Sequence, residues 1–210
     1  VERFGSSVDW EATEQGANAF DVLHQGRRIG KVEWGLLGEH NRQNALAAIA
    51  AARHVGIEPS AAMAALAGFA NVKRRMEVRG EAAGVTVLDD FAHHPTAIRT
   101  TVDGLRRQVG TARIIAVFEP RSNTMKLGTM KSQLPWSLEQ ADLAICHSGG
   151  LDWDAGEALQ SMGHRAQVAR TVDEAIQQVT QAARAGDHIL CMSNGGFGGI
   201  HDKLLAALTA

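Results

Sequence analysis

Residues 85–98 read VTVLDDFAHHPTAI, and the interpretation of this stretch decides the fold. A short apolar, β-branched run, Val85 to Leu88, ends in two adjacent carboxylates, Asp89 and Asp90. Phe91, His93 and His94 follow, and Pro95 with Thr96 opens an amphipathic segment. The pattern predicts a strand, a crossing turn and a helix start, because proline in the first helical turn forfeits no hydrogen bond. In an open α/β sheet, side chains at the carboxyl end of a strand face the crevice where ligands bind. Two carboxylates and two imidazoles there are expected to serve chemistry rather than packing.

Downstream, short apolar runs alternate with amphipathic segments. Strands are predicted over 76–79, 85–88, 114–118, 143–146, 166–169 and 189–192, and helices over 96–108, 131–140, 154–161, 172–184 and 200–208. Such alternation implies an α/β fold with a mainly parallel sheet. Upstream, residues 1–19 show no sustained periodicity. Phe20 to Leu23 and Ile29 to Trp34 predict a β-hairpin with Gly26 in its turn. An alanine-rich helix is expected from Asn41 to a stop at Gly56, and a second from Ser60 to Gly68. The domain boundary is placed near Val72.

The 210 residues carry a net charge of −2 and 45% hydrophobic residues. A real core is supported, and nothing in the charge balance asks for nucleic acid or an anionic membrane. No apolar run reaches the roughly 20 residues needed to cross a bilayer, and no signal peptide opens the chain. Cys146 and Cys191 each sit inside a short apolar run, which suits buried free thiols in a reducing, cytoplasmic setting. The first residue is Val1 rather than Met, so a preceding segment is expected.

Several clusters carry chemical potential. His40, Asn41 and Asn44 stand at a helix start. Asn41 is a natural N-cap, while Asn44, one turn on, can pair donor and acceptor with an adenine edge. The basic run Lys73 to Glu77 enters a strand at the domain junction, where an arginine can reach a phosphate. Asp89 and Asp90 either cap the turn or accept ribose hydroxyls. His93 and His94 are neighbours, poorly disposed to share one metal, and no metal ligand is assigned. The loop FEPRSNTMKLG, 118–128, brings Arg121, Ser122, Asn123 and Lys126 to another strand end, where a carboxylate-bearing ligand would fit. SNGGFGG, 193–199, offers backbone amides to an anion. It fails the dinucleotide fingerprint because His201 stands where the third glycine belongs, and no GxxxxGK[ST] loop occurs.

GEHNRQNALAAIAAA, KRRMEVRG, VLDDFAHHPTAI and FEPRSNTMKLG, in this order and spacing, resemble the Mur ligase family of peptidoglycan synthesis. The resemblance implies an ATP-dependent C–N ligase that works through an acyl phosphate and needs Mg2+. Residues 1–72 would be the end of the central ATPase domain, and 73–210 a Rossmann-like C-terminal domain. The phosphate loop and most magnesium ligands are then expected upstream of Val1. DDFAHHP with FEPRSNTMK points to the member that joins a murein tripeptide to UDP-N-acetylmuramate, with the L-alanine-adding member as the alternative. Outside the family, the alternatives are a non-catalytic nucleotide- or peptide-binding module and a dehydrogenase-like domain, the latter disfavoured by the failed fingerprint. By position in the family pattern, His40, Asn41 and Asn44 fall on the adenine side, Arg75 at the ATP phosphates and Asp90 near the ribose. His93 and His94 would contact nucleotide or amine in the reaction, and Arg121, Asn123, Ser193 and Asn194 the peptide carboxylates.

Overall fold

The computed structural model of the chain describes residues 9–14, 19–34, 36, 39–69 and 72–209, with Glu14 and His40 described by backbone alone. The chain divides into two compact units, Val1–Asn71 and Val72–Ala210.

In the first unit, β1 (Trp10–Glu14), β2 (Ala19–His24) and β3 (Arg27–Glu33) form an antiparallel sheet in that order. The hairpin turn is Gln25–Gly26, both with positive φ (50° and 74°), the geometry a two-residue connection between twisted strands requires. The strand β1 has no clear signature in the sequence: only Trp10 and Ala12 mark its inner face, and pairing with β2 supplies the rest. Two helices follow, α1 (Glu39–His54) and α2 (Pro59–Ala67). α1 opens at Glu39, whose carboxylate pairs with Arg42 at 2.5 Å and accepts from Gln43 at 2.7 Å. Asn41 therefore lies inside the first turn and is not the expected N-cap. Trp10, Phe20, Val22, Leu46, Ile49 and Met63 build a buried core.

The second unit is a six-stranded sheet, β4 (Glu77–Ala82), β5 (Val85–Asp90), β6 (Ile114–Phe118), β7 (Leu143–His147), β8 (Ala166–Ala169) and β9 (His188–Met192), in spatial order β4-β5-β9-β6-β7-β8. Only β4 runs antiparallel, joined to β5 by the turn Ala83–Gly84. The α/β class with a mainly parallel sheet is thus observed. All five residues of β6 are buried, as expected for a strand covered on both faces. Ile114, Ala116 and Phe118 pack on one face with Ile98, Val102 and Leu105 of α3 (Pro95–Val109), while Ile115 and Val117 pack on the other. That second face is covered by α7 (Val172–Ala182) and α8 (Ile200–Leu208). Between α3 and α7 in sequence lie three short helices, α4 (Asn123–Lys126), α5 (Leu134–Ser137) and α6 (Ala155–Leu159). The single helix predicted over 131–140 is instead a 3-10 turn, Lys131–Gln133, running into α5, with Pro135 in the first turn of the new helix. α4 falls within the segment expected to be loop; Ser122 caps it by accepting from the Met125 amide. Among the described residues no helix is long and apolar enough to cross a membrane. Cys146 and Cys191 are both free and buried, and burial pushes both thiols far up.

Candidate active site at the carboxyl edge of the sheet

The alternation of side chains along a strand separates the two carboxylates of VTVLDD. Val85, Val87 and Asp89 belong to one face of β5, Leu88 and Asp90 to the other. Asp89, 2% exposed, meets Arg74 Nε at 3.2 Å, His201 Nε2 of α8 at 3.3 Å and Arg79 at 3.9 Å. Burial holds the His201 imidazole below its ordinary value, with Asp89 pulling the other way. Asp90, 3% exposed, turns toward α3. Its Oδ1 accepts from the Ala92 amide at 2.8 Å and the Thr101 hydroxyl at 3.2 Å, and its Oδ2 from the Met76 amide at 2.9 Å. A carboxylate has about four acceptor positions. Among the described residues three are filled, which leaves one for a ribose hydroxyl where two were expected. Burial raises the Asp90 pKa; the Ala92 and Met76 amides, the Arg75 charge and Thr101 pull it down by less.

The basic run ahead of β4 is split in the same manner. Arg74 and Met76 both take left-handed backbone (φ 60° and 52°), which costs a non-glycine residue roughly 1–2 kcal/mol each. Hydrogen bonds to Glu77 (Arg74 amide, 2.7 Å) and Asp90 offset this. Arg74 is half-buried and donates through Nη2 to the carbonyls of Ser193 and Gly195 at 2.6 and 2.8 Å. Arg75 is exposed. Both guanidinium groups stand over the Phe91 ring, at 5.2 and 5.7 Å from its centroid. His93 meets that ring edge-on at 5.5 Å and brings Nδ1 within 3.0 Å of the Phe91 carbonyl, which leaves Nε2 as its open nitrogen. His94 occupies the N-cap position of α3 without a side-chain cap. The structure thus gathers Arg75 and His93 around Phe91, the residue next to Asp90.

The loop after β9, expected to offer amides to an anion, commits three of them within the protein: the Ser193, Gly195 and Gly199 amides donate to the Asp90 carbonyl, Ser193 Oγ and the Gly196 carbonyl. Its Ser193 and Gly195 carbonyls accept from Arg74. Ser193, expected to meet substrate carboxylates, is 1% exposed and gives its hydroxyl proton to Glu119 Oε2 at 2.6 Å, so it is not free to take that role. Asn194 is half-buried, with Oδ1 unpartnered among the described residues. Arg121 lies along Gly195, where any Cβ would collide with the guanidinium, and forms no ion pair among the described residues. Asn123 is exposed at the first turn of α4.

In the first unit, Asn41 and Asn44 lie three residues apart on α1 and so share a face, Asn41 half-buried and Asn44 exposed. The His40 side chain lies outside the described residues. An open groove of about 580 Å³ beside the β2–β3 turn, lined by His24, Gln25, Arg27, Arg28 and Ile29, contains none of these positions.

Sequence reasoning passes over Arg74, Thr101, Glu119 and His147. The last two follow β6 and end β7, so the strand-end rule that singles out Asp90 applies equally to them.

Residues 74–195 match the family described as Mur ligase, glutamate ligase domain. The chain belongs to the Mur ligase family. Over 211 aligned residues, covering 99% of this chain, it is 51% identical to UDP-N-acetylmuramate–L-alanyl-γ-D-glutamyl-meso-2,6-diaminoheptandioate ligase of Escherichia coli. The alignment takes in 46% of that relative, so the chain spans about half the length of the curated ligase it matches. The crystal structure of a murein peptide ligase from Psychrobacter arcticus superposes with a TM-score of 0.73 at 42% identity, over 96% of this chain and 44% of that one. A UDP-N-acetylmuramate–alanine ligase from Thermotoga maritima shares the fold (TM-score 0.81, 98% of this chain and 47% of that one) at 21% identity.

Proposed function

We propose that this Mur ligase chain is part of an ATP-dependent amide ligase joining L-alanyl-γ-D-glutamyl-meso-diaminopimelate to UDP-N-acetylmuramate, in cytoplasmic peptidoglycan recycling. Residues 1–72 are assigned to the end of the central ATPase domain and 73–210 to the C-terminal domain. The observation that carries the reading is Arg75 standing over Phe91, the residue next to Asp90, close enough for its charge to act on the Asp90 carboxyl, in a chain 51% identical to a relative named for that reaction.

The lactyl carboxylate takes a phosphoryl group from ATP, the peptide amine attacks the acyl phosphate, and the tetrahedral adduct collapses to amide and phosphate. Such chemistry needs positioning and charge neutralisation more than a protein nucleophile. Arg75 supplies positive charge to the phosphates, and the one open acceptor of Asp90 takes a ribose hydroxyl. His93 offers Nε2 to nucleotide or amine. Asn44, with Asn41 and His40, is assigned to the adenine. Arg121 holds a carboxylate of the peptide, with Asn123 and Asn194 as supporting donors. Among the described residues no group of three or more His, Cys, Asp or Glu side chains could hold a metal, and none of these roles passes through magnesium.

The test is ligation by the protein at its natural length, with ATP, UDP-N-acetylmuramate and either the tripeptide or L-alanine. Tripeptide-dependent release of ADP and phosphate is expected. Consumption of L-alanine with the tripeptide ignored would overturn the assignment.

A further inference from the structure

Three residues that the ligase reading leaves unassigned as reactants converge at the carboxyl ends of β9, β6 and β7: Ser193, Glu119 and His147. The Ser193 hydroxyl fixes Glu119 through Oε2 at 2.6 Å. Glu119 Oε1 forms no hydrogen bond among the described residues, and the nearest imidazole nitrogen, His147 Nδ1, stands 3.7 Å from it. That Nδ1 is buried and has no hydrogen-bond partner among the described residues. Both side chains are held close, 12% exposed for His147 and 15% for Glu119. The His147 ring leans on Phe197, 5.9 Å between centroids. Gly149 lies against its other edge, where a Cβ would come within 2.9 Å of Cε1 and Nε2. A carboxylate facing Nδ1 selects the tautomer protonated there and leaves Nε2 as the basic nitrogen. Base–orienter contacts in ligand-free sites are often longer than in the substrate complex.

We infer that His147 is the general base that takes a proton from the incoming peptide amine, and that Glu119, itself held by Ser193, is the positioning residue that sets its tautomer. The inference rests on the ligase reading above. A peptide α-amine is largely an ammonium at neutral pH and cannot attack in that form. Its first proton passes to His147 Nε2. The freed lone pair forms the C–N bond, and the C–O bond to phosphate breaks with its electron pair on the departing phosphate. The second amine proton leaves on that phosphate, and His147 returns its proton to water.

Hydroxylamine separates this role from a structural one, because it is uncharged at neutral pH and traps an acyl phosphate as hydroxamate without prior deprotonation. In the natural-length protein, His147→Gln should lower kcat with the tripeptide by about 10²-fold or more, the scale of a lost general base. Glu119→Gln should also lower it by about 10²-fold or more, because an amide donor facing Nδ1 selects the tautomer already protonated at Nε2. For both variants, hydroxamate formation and the KM for the tripeptide should stay within about threefold of the parent, since neither residue acts before the acyl phosphate. Equal losses with both nucleophiles would overturn the inference, as would undiminished tripeptide ligation. A parent protein that forms neither amide nor hydroxamate would bring down the ligase reading and this inference with it.

Discussion

Asp90 ends one buried strand of the sheet and Glu119 follows another, on the same edge, yet they have opposite circumstances. Asp90 receives three hydrogen bonds from Ala92, Met76 and Thr101 and binds the β4 entry, the turn after β5 and α3 into one joint. Glu119 receives one, from Ser193, and leaves Oε1 open beside an unsatisfied imidazole. Strand-end position gives a carboxylate access to the ligand edge; the donors around it decide whether it holds the fold or stays open for chemistry. The two arginines ahead of β4 differ as well: Arg74 is half-buried and clamped onto two carbonyls and Asp89, whereas Arg75 beside it is exposed.

Breaking the arginine half of the contrast should have the largest effect. Arg75→Ala in the natural-length protein should cut turnover about 10³-fold or more, the scale of an arginine lost from phosphoryl transfer, with UDP-sugar affinity unchanged. Steady-state kinetics and calorimetry check this, and undiminished turnover removes Arg75 from the mechanism. Arg74→Ala should act on the fold instead. Stripping its closest cation from buried Asp89 should cost about 3 kcal/mol in urea unfolding; a loss below about 1 kcal/mol would show that Arg79 and His201 suffice.

Asp90→Asn turns an amide donor toward the Met76 or Ala92 N–H and should cost about 1–3 kcal/mol, whereas Thr101→Val removes one hydroxyl donor to Oδ1 and should cost about 1 kcal/mol. The pH trend sharpens the same point. Because burial raises the Asp90 pKa in the fold, its contribution is fully present below the ordinary carboxylate value of about 3.9 and is lost as pH rises through the raised one. The stability gap between parent and Asp90→Asn should therefore narrow on going from acid toward neutrality. A gap that widens over that range contradicts burial as the dominant influence.

Much of the fold is legible in the chain itself. Continuous apolar runs such as Ile114–Phe118 announce strands covered on both faces, and the Pro95 helix start lies where proline chemistry puts it. The candidate site is half legible. Period-two alternation already dictates that Asp89 and Asp90 face opposite ways, although their adjacency invites reading them as one pair. Arg74 and Arg75 differ in nothing but backbone: positive φ at Arg74 and Met76 has no glycine to announce it and is sustained by the distant Asp90. Glu119 and His147 carry no motif of their own. Their significance comes from the sheet order, which sets β6 between β9 and β7, and sheet order emerges only from tertiary pairing.

The contrast between the two strand-end carboxylates is tested most directly by Glu119→Gln, followed by urea unfolding and tripeptide ligation on the same preparation. The account predicts a stability within about 0.5 kcal/mol of the parent, since glutamine still accepts from Ser193, together with a loss of ligation of about 10²-fold or more. A variant that unfolds as readily as Asp90→Asn while ligating at the parental rate would contradict it.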